Sequence, residues 1–468
     1  MPRPEHALPV AARMSRVAIV APATRLRETL AIVADAGMVE LAGPLPPPNG
    51  EALEALRRLE RAGALPPAPL LSPDPLDVAT AERAAAAALL AGETELERRA
   101  AAAVDHGSFA ALVGWAPTDG LAALSTRLAG SGAAVVELPR QPWLEPPTLI
   151  AEARLSRPFR PLVETYGPSR YADLDPTLFA TVSFVLMFGM MFGDVGHGLV
   201  LALAGLALRA VRRGWLLRVR GAWQLVFLCG LSSAVFGLVY GECFGPTGLV
   251  PTLWLDPIDR PVPLLAAAVA VGGILLANSY AIGIVNRWRE QGASAALIAP
   301  SGIAGAAVFL GGVALAGGLY ADALPLTLAG AAVAVAGLVL LAIGFFLEAG
   351  RGPLAVTQAG IETVDAAVRV GASAISFTRL AAFGLMHAAI AAVVWDAASA
   401  VWGSVAGAVV AVLVLVLGTA LALSLELLVT GIQALRLEYY ELFSRIFAGE
   451  GRAFAPWHIP LASGKGTP

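Results

Sequence analysis

Apolar and polar positions along this chain follow two different rhythms. Near the N-terminus, R-V-A-I-V at 16–20 alternates as a strand does, Thr24–Ala36 repeats at helical spacing, and M-V-E-L at 38–41 alternates again. Helical patterns follow at about 50–63 and 76–104, separated by the Pro-rich A-L-P-P-A-P at 64–69. A second strand–helix–strand pattern runs through F-A-A-L-V-G-W at 109–115, a helix after Pro117, and A-A-V-V-E-L at 133–138. From residue 177 the rhythm gives way to a train of long apolar runs. The run 177–210 is too long for one untilted span and holds Asp194 and His197 at its middle, so it predicts a hairpin with G-D-V-G-H at the turn. Further spans are expected near 222–241, 263–285, 295–318, 323–348, 371–396 and 401–440. The last segment runs from Val401 past Leu442 without proline, about 60 Å of helix against a hydrocarbon core of about 30 Å. Such a helix must tilt or protrude.

The expected fold is a polytopic α-helical membrane protein of about 8 transmembrane helices, the last two long and tilted, preceded by a small α/β cytoplasmic domain. The expected divisions are 1–175 for that domain with a short helical extension, 176–446 for the membrane domain, and 447–468 for a cytoplasmic tail.

Composition agrees with this division. Hydrophobic residues make up 57% of the 468 and charged residues 14%, and mean hydropathy is +0.71, outside the range of a water-soluble domain of this length. Net charge is −3, but in a membrane protein sidedness matters more than the sum. One set of loops holds Arg209, Arg212, Arg213, Arg218, Arg220, Arg287, Arg289, Arg351 and Arg369, and the C-terminal end adds Arg436, Arg445 and Arg452. The opposite loops hold Arg260 with Glu242, Asp256, Asp259 and Asp396. By the positive-inside rule both termini are expected in the cytoplasm, in the cell membrane. Arg13, Arg16 and Pro22 interrupt any signal-peptide core. Cys229 and Cys243, fourteen residues apart, predict no disulfide. No metal-ligand spacing, cofactor motif or nucleotide-binding G-x-x-x-x-G-K-[ST] loop is found, so no cofactor, metal or nucleic-acid partner is expected, and no catalytic residue.

The chemistry sits in the polar groups of the last two spans. Arg379 falls about 12 Å into the seventh span, and Ser376, Arg379 and His387 share roughly 80° of helix arc. The eighth carries Glu426, Thr430, Gln433 and Arg436 within roughly 120°. With Arg379 and Arg436 at one depth, antiparallel helices put His387 about 12 Å and Glu426 about 15 Å further out, in one layer. Ionisable groups inside a bilayer cost at least a few kcal/mol and mark ion pathways. Structural readings stand beside this one. Arg436 can snorkel from a helix end, His387 can be a satisfied interior histidine, Asp194 and His197 can cap helices at a turn, and Glu362 with Asp365 can be a solvated face.

Three motifs carry a resemblance: F-G-M-M-F-G-D-V-G-H-G (188–198), S-F-T-R-L-A-A-F-G-L-M-H-A (376–388) and I-Q-A-L-R-L-E-Y-Y-E-L-F-S-R-I-F-A-G-E-G (432–451). With Y-A-D-L-D-P-T at 171–177, they resemble the V-type ATPase a-subunit family, called subunit I in bacteria and archaea, over roughly 140–457. The resemblance implies a membrane stator beside a ring of proteolipid subunits, with two offset half-channels. Its partners would be that ring, the peripheral stalk, the central-stalk and catalytic ATPase subunits, and the lipid bilayer. The family's critical arginine falls on Arg379 and its second arginine on Arg436, with path-lining positions at His387 and Glu426 and an acidic position at Asp365, where some members have glutamate. Gln433, on the same polar arc of the eighth span, joins them as a candidate for ion translocation. Family N-terminal regions are usually longer than the 175 residues preceding the membrane runs here, which implies a shorter helical extension.

At about 4 Å and an effective dielectric near 20, a guanidinium attracts a carboxylate by about 4 kcal/mol, enough to favour an ionised ring site facing the stator. Two other classes fit the same charges: a stand-alone secondary transporter, which internal repeats with broken helices would favour, and a non-pumping scaffold. No convincing repeat is present in the chain.

Overall fold

The computed structural model describes residues 12–63, 68–139, 141, 144–149, 157–164, 167, 170–171, 173–212, 214, 217, 219–350, 352–447 and 451–462. Arg213, Arg218 and Arg351, counted above among the loop cations, lie outside the described residues, as do Ala172 and residues 448–450 of the quoted motifs. The chain divides into two compact units: one of 1–151, 168–171 and 451–468, the other of 152–167 and 172–450.

The first unit is built on β1 (Met14–Pro22), α1 (Leu26–Ala36), β2 (Glu40–Leu41), α2 (Glu51–Arg61), α3 (Val78–Arg83), α4 (Ala87–Ala101), β3 (Val104–His106), β4 (Phe109–Pro117), α5 (Leu121–Leu128) and β5 (Ala134–Glu137). Strand order is β2-β4-β1-β5, with β3 also on β4, and every pairing is antiparallel. Both strand–helix–strand repeats seen in the sequence are present. They interleave, however, so that β4 of the second repeat lies between β1 and β2 of the first. Val17, Ile19 and Ala21 alternate into a core shared with Leu30, Val33, Leu112, Leu124 and Leu128. The helical pattern at 76–104 is two helices, because Ala85 takes a positive φ of 53° between them.

Residues 451–462 complete this unit. Trp457 N–H donates to Val39 O at 2.9 Å, Leu71 N–H to Pro460 O at 3.0 Å, and Ala462 N–H to Leu71 O at 2.8 Å. Trp457 and Ile459 are buried in the core, and the Arg99 guanidinium lies 5.5 Å from the Trp457 ring.

The second unit contains α6 (Arg160–Glu164), α7 (Thr177–Met191), α8 (Val195–Ala210), α9 (Trp223–Tyr240), α10 (Pro261–Gln291), α11 (Ala293–Ile298), α12 (Ile303–Tyr320), α13 (Leu324–Ala349), α14 (Pro353–Ser376), α15 (Thr378–Ala400), α16 (Val405–Leu437) and α17 (Ser444–Ile446). Six helical stretches among the described residues are long and apolar enough to cross a membrane: 220–240, 261–291, 293–320, 324–349, 353–400 and 405–446. The two arms of the expected hairpin, α7 and α8, have 15 and 16 residues and fall short of that length. The chain leaves helical geometry between them at Phe192–Asp194 and spends three residues on the turn.

Two boundaries differ from the sequence reading. The seventh span does not begin near 371 but continues α14 across Phe377, making one 48-residue stretch from Pro353 to Ala400. Phe377 is fully buried and fits where Gly272 of α10 has no side chain. The last stretch, 42 residues from Val405 to Ile446, contains a π-helical turn at Glu438–Phe443 that no sequence signal announced. Packing between α8 and α9 depends on Gly198, where an added Cβ would lie 2.5 Å from Ala234 N.

Candidate functional site

The turn between α7 and α8 supplies the first part of a buried polar cluster. Asp194 is the N-cap of α8: its Oδ1 accepts from His197 N–H at 2.8 Å. Its Oδ2 accepts from Gly245 N–H at 3.0 Å, so one carboxylate also holds the loop after α9. Ser233 of α9 donates its hydroxyl to Phe192 O and Tyr240 donates to Met190 O at 3.3 Å, which ties α9 to the same turn. Val195 N–H donates to Glu242 O at 2.9 Å and brings the Glu242 carboxylate alongside.

The second part comes from α15 and α16. His387 Nδ1 and Glu426 Oε2 are in hydrogen-bond contact, thirty-nine residues apart in sequence and both buried. His387 Nε2 lies 3.9 Å from Asp194 Oδ2 and 3.9 Å from Glu242 Oε2. His197 Nδ1 is 3.5 Å from Asp194 Oδ2, and the two histidine rings meet edge-on with centroids 5.4 Å apart. Phe192 and Phe244 wall the cluster, their rings 4.9 Å from His387 and 5.3 Å from His197. Three carboxylates and two imidazoles therefore share one apolar enclosure, where charge is tolerated only when paired or hydrogen-bonded.

The two arginines occupy a different place. Arg379 of α15, half-buried, and Arg436 of α16, exposed, line a common open groove with Ser376, Tyr440 and Glu441. Among the described residues neither guanidinium has an ion-pair or hydrogen-bond partner. Gln433 is half-buried on α16. Asp365, on α14, is solvent-exposed and paired with Arg369 at 2.7 Å, so the structure does not bring it to the cluster. Asp194 and His197 do cap a helix, as the turn reading has it, yet both are also buried members of the cluster.

Two carboxylates of the buried interior are not legible as such in the sequence. Glu242 falls among the outer-loop acids there, but it is 6% exposed and faces His387. Glu438, at the first position of the π turn, is 0% exposed and accepts from Ser183 Oγ of α7 at 2.7 Å. Its signal is present in L-E-Y-Y-E-L, an acid within an apolar helix, and is masked by the nearby helix end.

Comparison with known proteins places this geometry in context. The profile of the V-type ATPase 116 kDa subunit family matches residues 104–294. The A-type ATP synthase subunit I of Archaeoglobus fulgidus is 29% identical, covering 74% of this chain and 58% of the relative. That of Halobacterium salinarum is 30% identical, covering 64% and 49%. The human V-type proton ATPase 116 kDa subunit a 3 is 37% identical over 23% of this chain and 14% of its own length. The chain spans about half the length of the curated relatives it matches.

Proposed function

We propose, from the premise that the chain belongs to the V-type ATPase 116 kDa subunit family, that it is the ion-conducting stator of a rotary ATPase. One observation carries the reading. Along the antiparallel pair α15 and α16, His387 and Glu426 meet in a buried layer, while Arg379 and Arg436 line an open groove eight and ten residues away.

The proposed division of labour comes from those positions. The groove is the face offered to a ring of proteolipid subunits, each with a carboxylate that carries one ion. A protonated ring carboxylate is neutral and tolerates lipid, whereas an ionised one needs a partner. Arg379 supplies that partner; at about 4 Å the attraction is about 4 kcal/mol with an effective dielectric near 20. A guanidinium stays charged when partly desolvated, so it also blocks direct ion passage, and lysine is a poor substitute because it deprotonates when buried. His387 and Glu426 line the outer half-channel, with Gln433 between that layer and the groove. Asp365 borders the cytoplasmic half-channel, where its exposure on α14 supports access from water. Both termini are cytoplasmic, α7 and α8 form a membrane hairpin about the Asp194 turn, and ATP chemistry belongs to partner subunits reached through the peripheral and central stalks.

In vesicles holding the assembled complex, Arg379→Ala should abolish ATP-driven acidification while ATP hydrolysis by the head persists. Undiminished acidification would refute the role given to Arg379.

A further inference from the structure

We propose that Asp194, His197 and His387 form a binding site for a divalent transition-metal ion of the Zn²⁺ class, with Glu242 as the fourth ligand. The donor atoms of the first three all lie within 4.8 Å of one another. Glu242 Oε2 lies 3.9 Å from His387 Nε2 but outside that mutual spacing, so it would reach the ion by a change of side-chain rotamer. The four side chains come from the α7–α8 turn, the first turn of α8, the loop after α9, and α15, so they converge from separate parts of the unit.

The unpartnered atoms point to a ligand independently of the distances. Among the described residues, His197 Nδ1 and Nε2, His387 Nε2 and Glu242 Oε2 are buried and have no hydrogen-bond partner. Buried polar atoms left unsatisfied are costly, and one shared cation would satisfy His387 Nε2, Glu242 Oε2 and one of the two His197 nitrogens together. Glu426 completes the argument. By accepting from His387 Nδ1 it fixes that nitrogen as the protonated one and leaves Nε2 with its lone pair turned toward Asp194 and Glu242. A carboxylate behind a histidine is the outer-shell arrangement that orients imidazole on zinc. Gly245 N–H plays the same part for Asp194 Oδ2.

Donor type selects the ion. Two imidazoles with carboxylates suit Zn²⁺, Co²⁺ or Ni²⁺ and exclude the all-oxygen shells of Mg²⁺ and Ca²⁺. Bonds of about 2.0–2.2 Å in a tetrahedron set donors roughly 3.4 Å apart. The Asp194–His197 pair, at 3.5 Å, already meets that spacing. The other pairs among Asp194, His197 and His387, all within 4.8 Å, would close through rotation of the histidine rings, and Glu242 through its own side-chain torsions. The dication also offsets the excess of carboxylates over imidazoles in a site walled by Phe192 and Phe244.

The test uses the full chain in detergent, with Co²⁺ as a visible probe and Zn²⁺ as competitor. One Co²⁺ per chain should bind with the intense absorption of a tetrahedral site and be displaced by stoichiometric Zn²⁺. X-ray absorption at the zinc edge should then show two imidazole nitrogens at about 2.0–2.1 Å. His197→Ala should weaken binding at least tenfold, and Glu426→Gln by about 10–100-fold through the outer shell. An octahedral, oxygen-only spectrum in the unaltered chain would overturn the site whether or not the variants fold. So would unchanged affinity in a folded His197→Ala chain. Metal binding stands on geometry and does not depend on the ion-path reading. An assembled complex that loads Zn²⁺ at this site yet acidifies vesicles at the metal-free rate would refute that path through His387 and leave the metal site intact.

Discussion

Burying a carboxylate costs several kcal/mol unless its oxygens find donors, and the second unit buries Asp194, Glu242, Glu426 and Glu438. Each is met differently. Asp194 takes two backbone N–H groups, Glu426 a histidine, Glu438 a hydroxyl, and Glu242 a histidine edge at longer range. In the first unit Glu97 on α4 shows the cost by itself. Burial, with Glu93 and Glu51 nearby, raises its pKa above the usual carboxylate value, and among the described residues its Oε2 has no partner. For an acid raised on folding, the native state holds the proton more tightly. Stability therefore falls as pH rises from the ordinary carboxylate range through the raised value. Glu97→Gln should flatten that dependence and raise amide protection in α4 on the alkaline side. Hydrogen exchange across pH, corrected for intrinsic rates, measures it; protection falling equally in both proteins would contradict the argument.

At the scale of elements, close approach decides which helices can meet. Gly198 lets the backbone of α8 lie against that of α9, and this contact sets the turn carrying Asp194 against Ser233, Tyr240 and Glu242. Gly198→Leu should separate the two helices and lower the yield of folded subunit in membranes. Gly198→Ala should do so less, because the methyl group still meets backbone but displaces it by less. Thermal stability of the detergent-purified chain ranks the three proteins, and equal midpoints would show that the pair is held elsewhere. The π turn at Glu438–Phe443 acts on the same scale. One extra residue in a turn rotates the helix beyond it relative to the helix before it. Across this turn Glu438 faces Ser183, while Arg436, two residues earlier, remains in the open groove.

Taken as a whole, the molecule is two cores with one chain passing through the first of them twice. Residues 451–462 return to the sheet unit, where Trp457 fills its core and Arg452 pairs with Glu40 at 2.6 Å. The fold of the first unit therefore depends on a segment that comes after the membrane helices in sequence. Trp457→Ala should cost that unit about 3–5 kcal/mol, the usual range for emptying a buried tryptophan site. Limited proteolysis should then release 451–462 while the membrane helices stay protected. Unchanged cleavage would mean that the segment contributes no stability.

Locally, the sequence by itself determined a good deal. Alternation and helical spacing involve neighbours two to four residues apart, so β1, α1, β4, α5 and the long apolar helices were legible, as was the meeting of His387 with Glu426. The eight- and ten-residue offsets even put His387 and Glu426 at one level, because a helix has a fixed rise. Tertiary structure alone decided the rest. No local rule says that β4 inserts between β1 and β2, that residues 451–462 belong to the first core, or that Asp365 stays outside the buried cluster. Nor does one say that Asp194, Glu242 and His387 share an enclosure, since Asp194 and His387 lie 193 residues apart in the chain. A polar residue's cost depends on the partner it meets after folding, and that partner is chosen by packing.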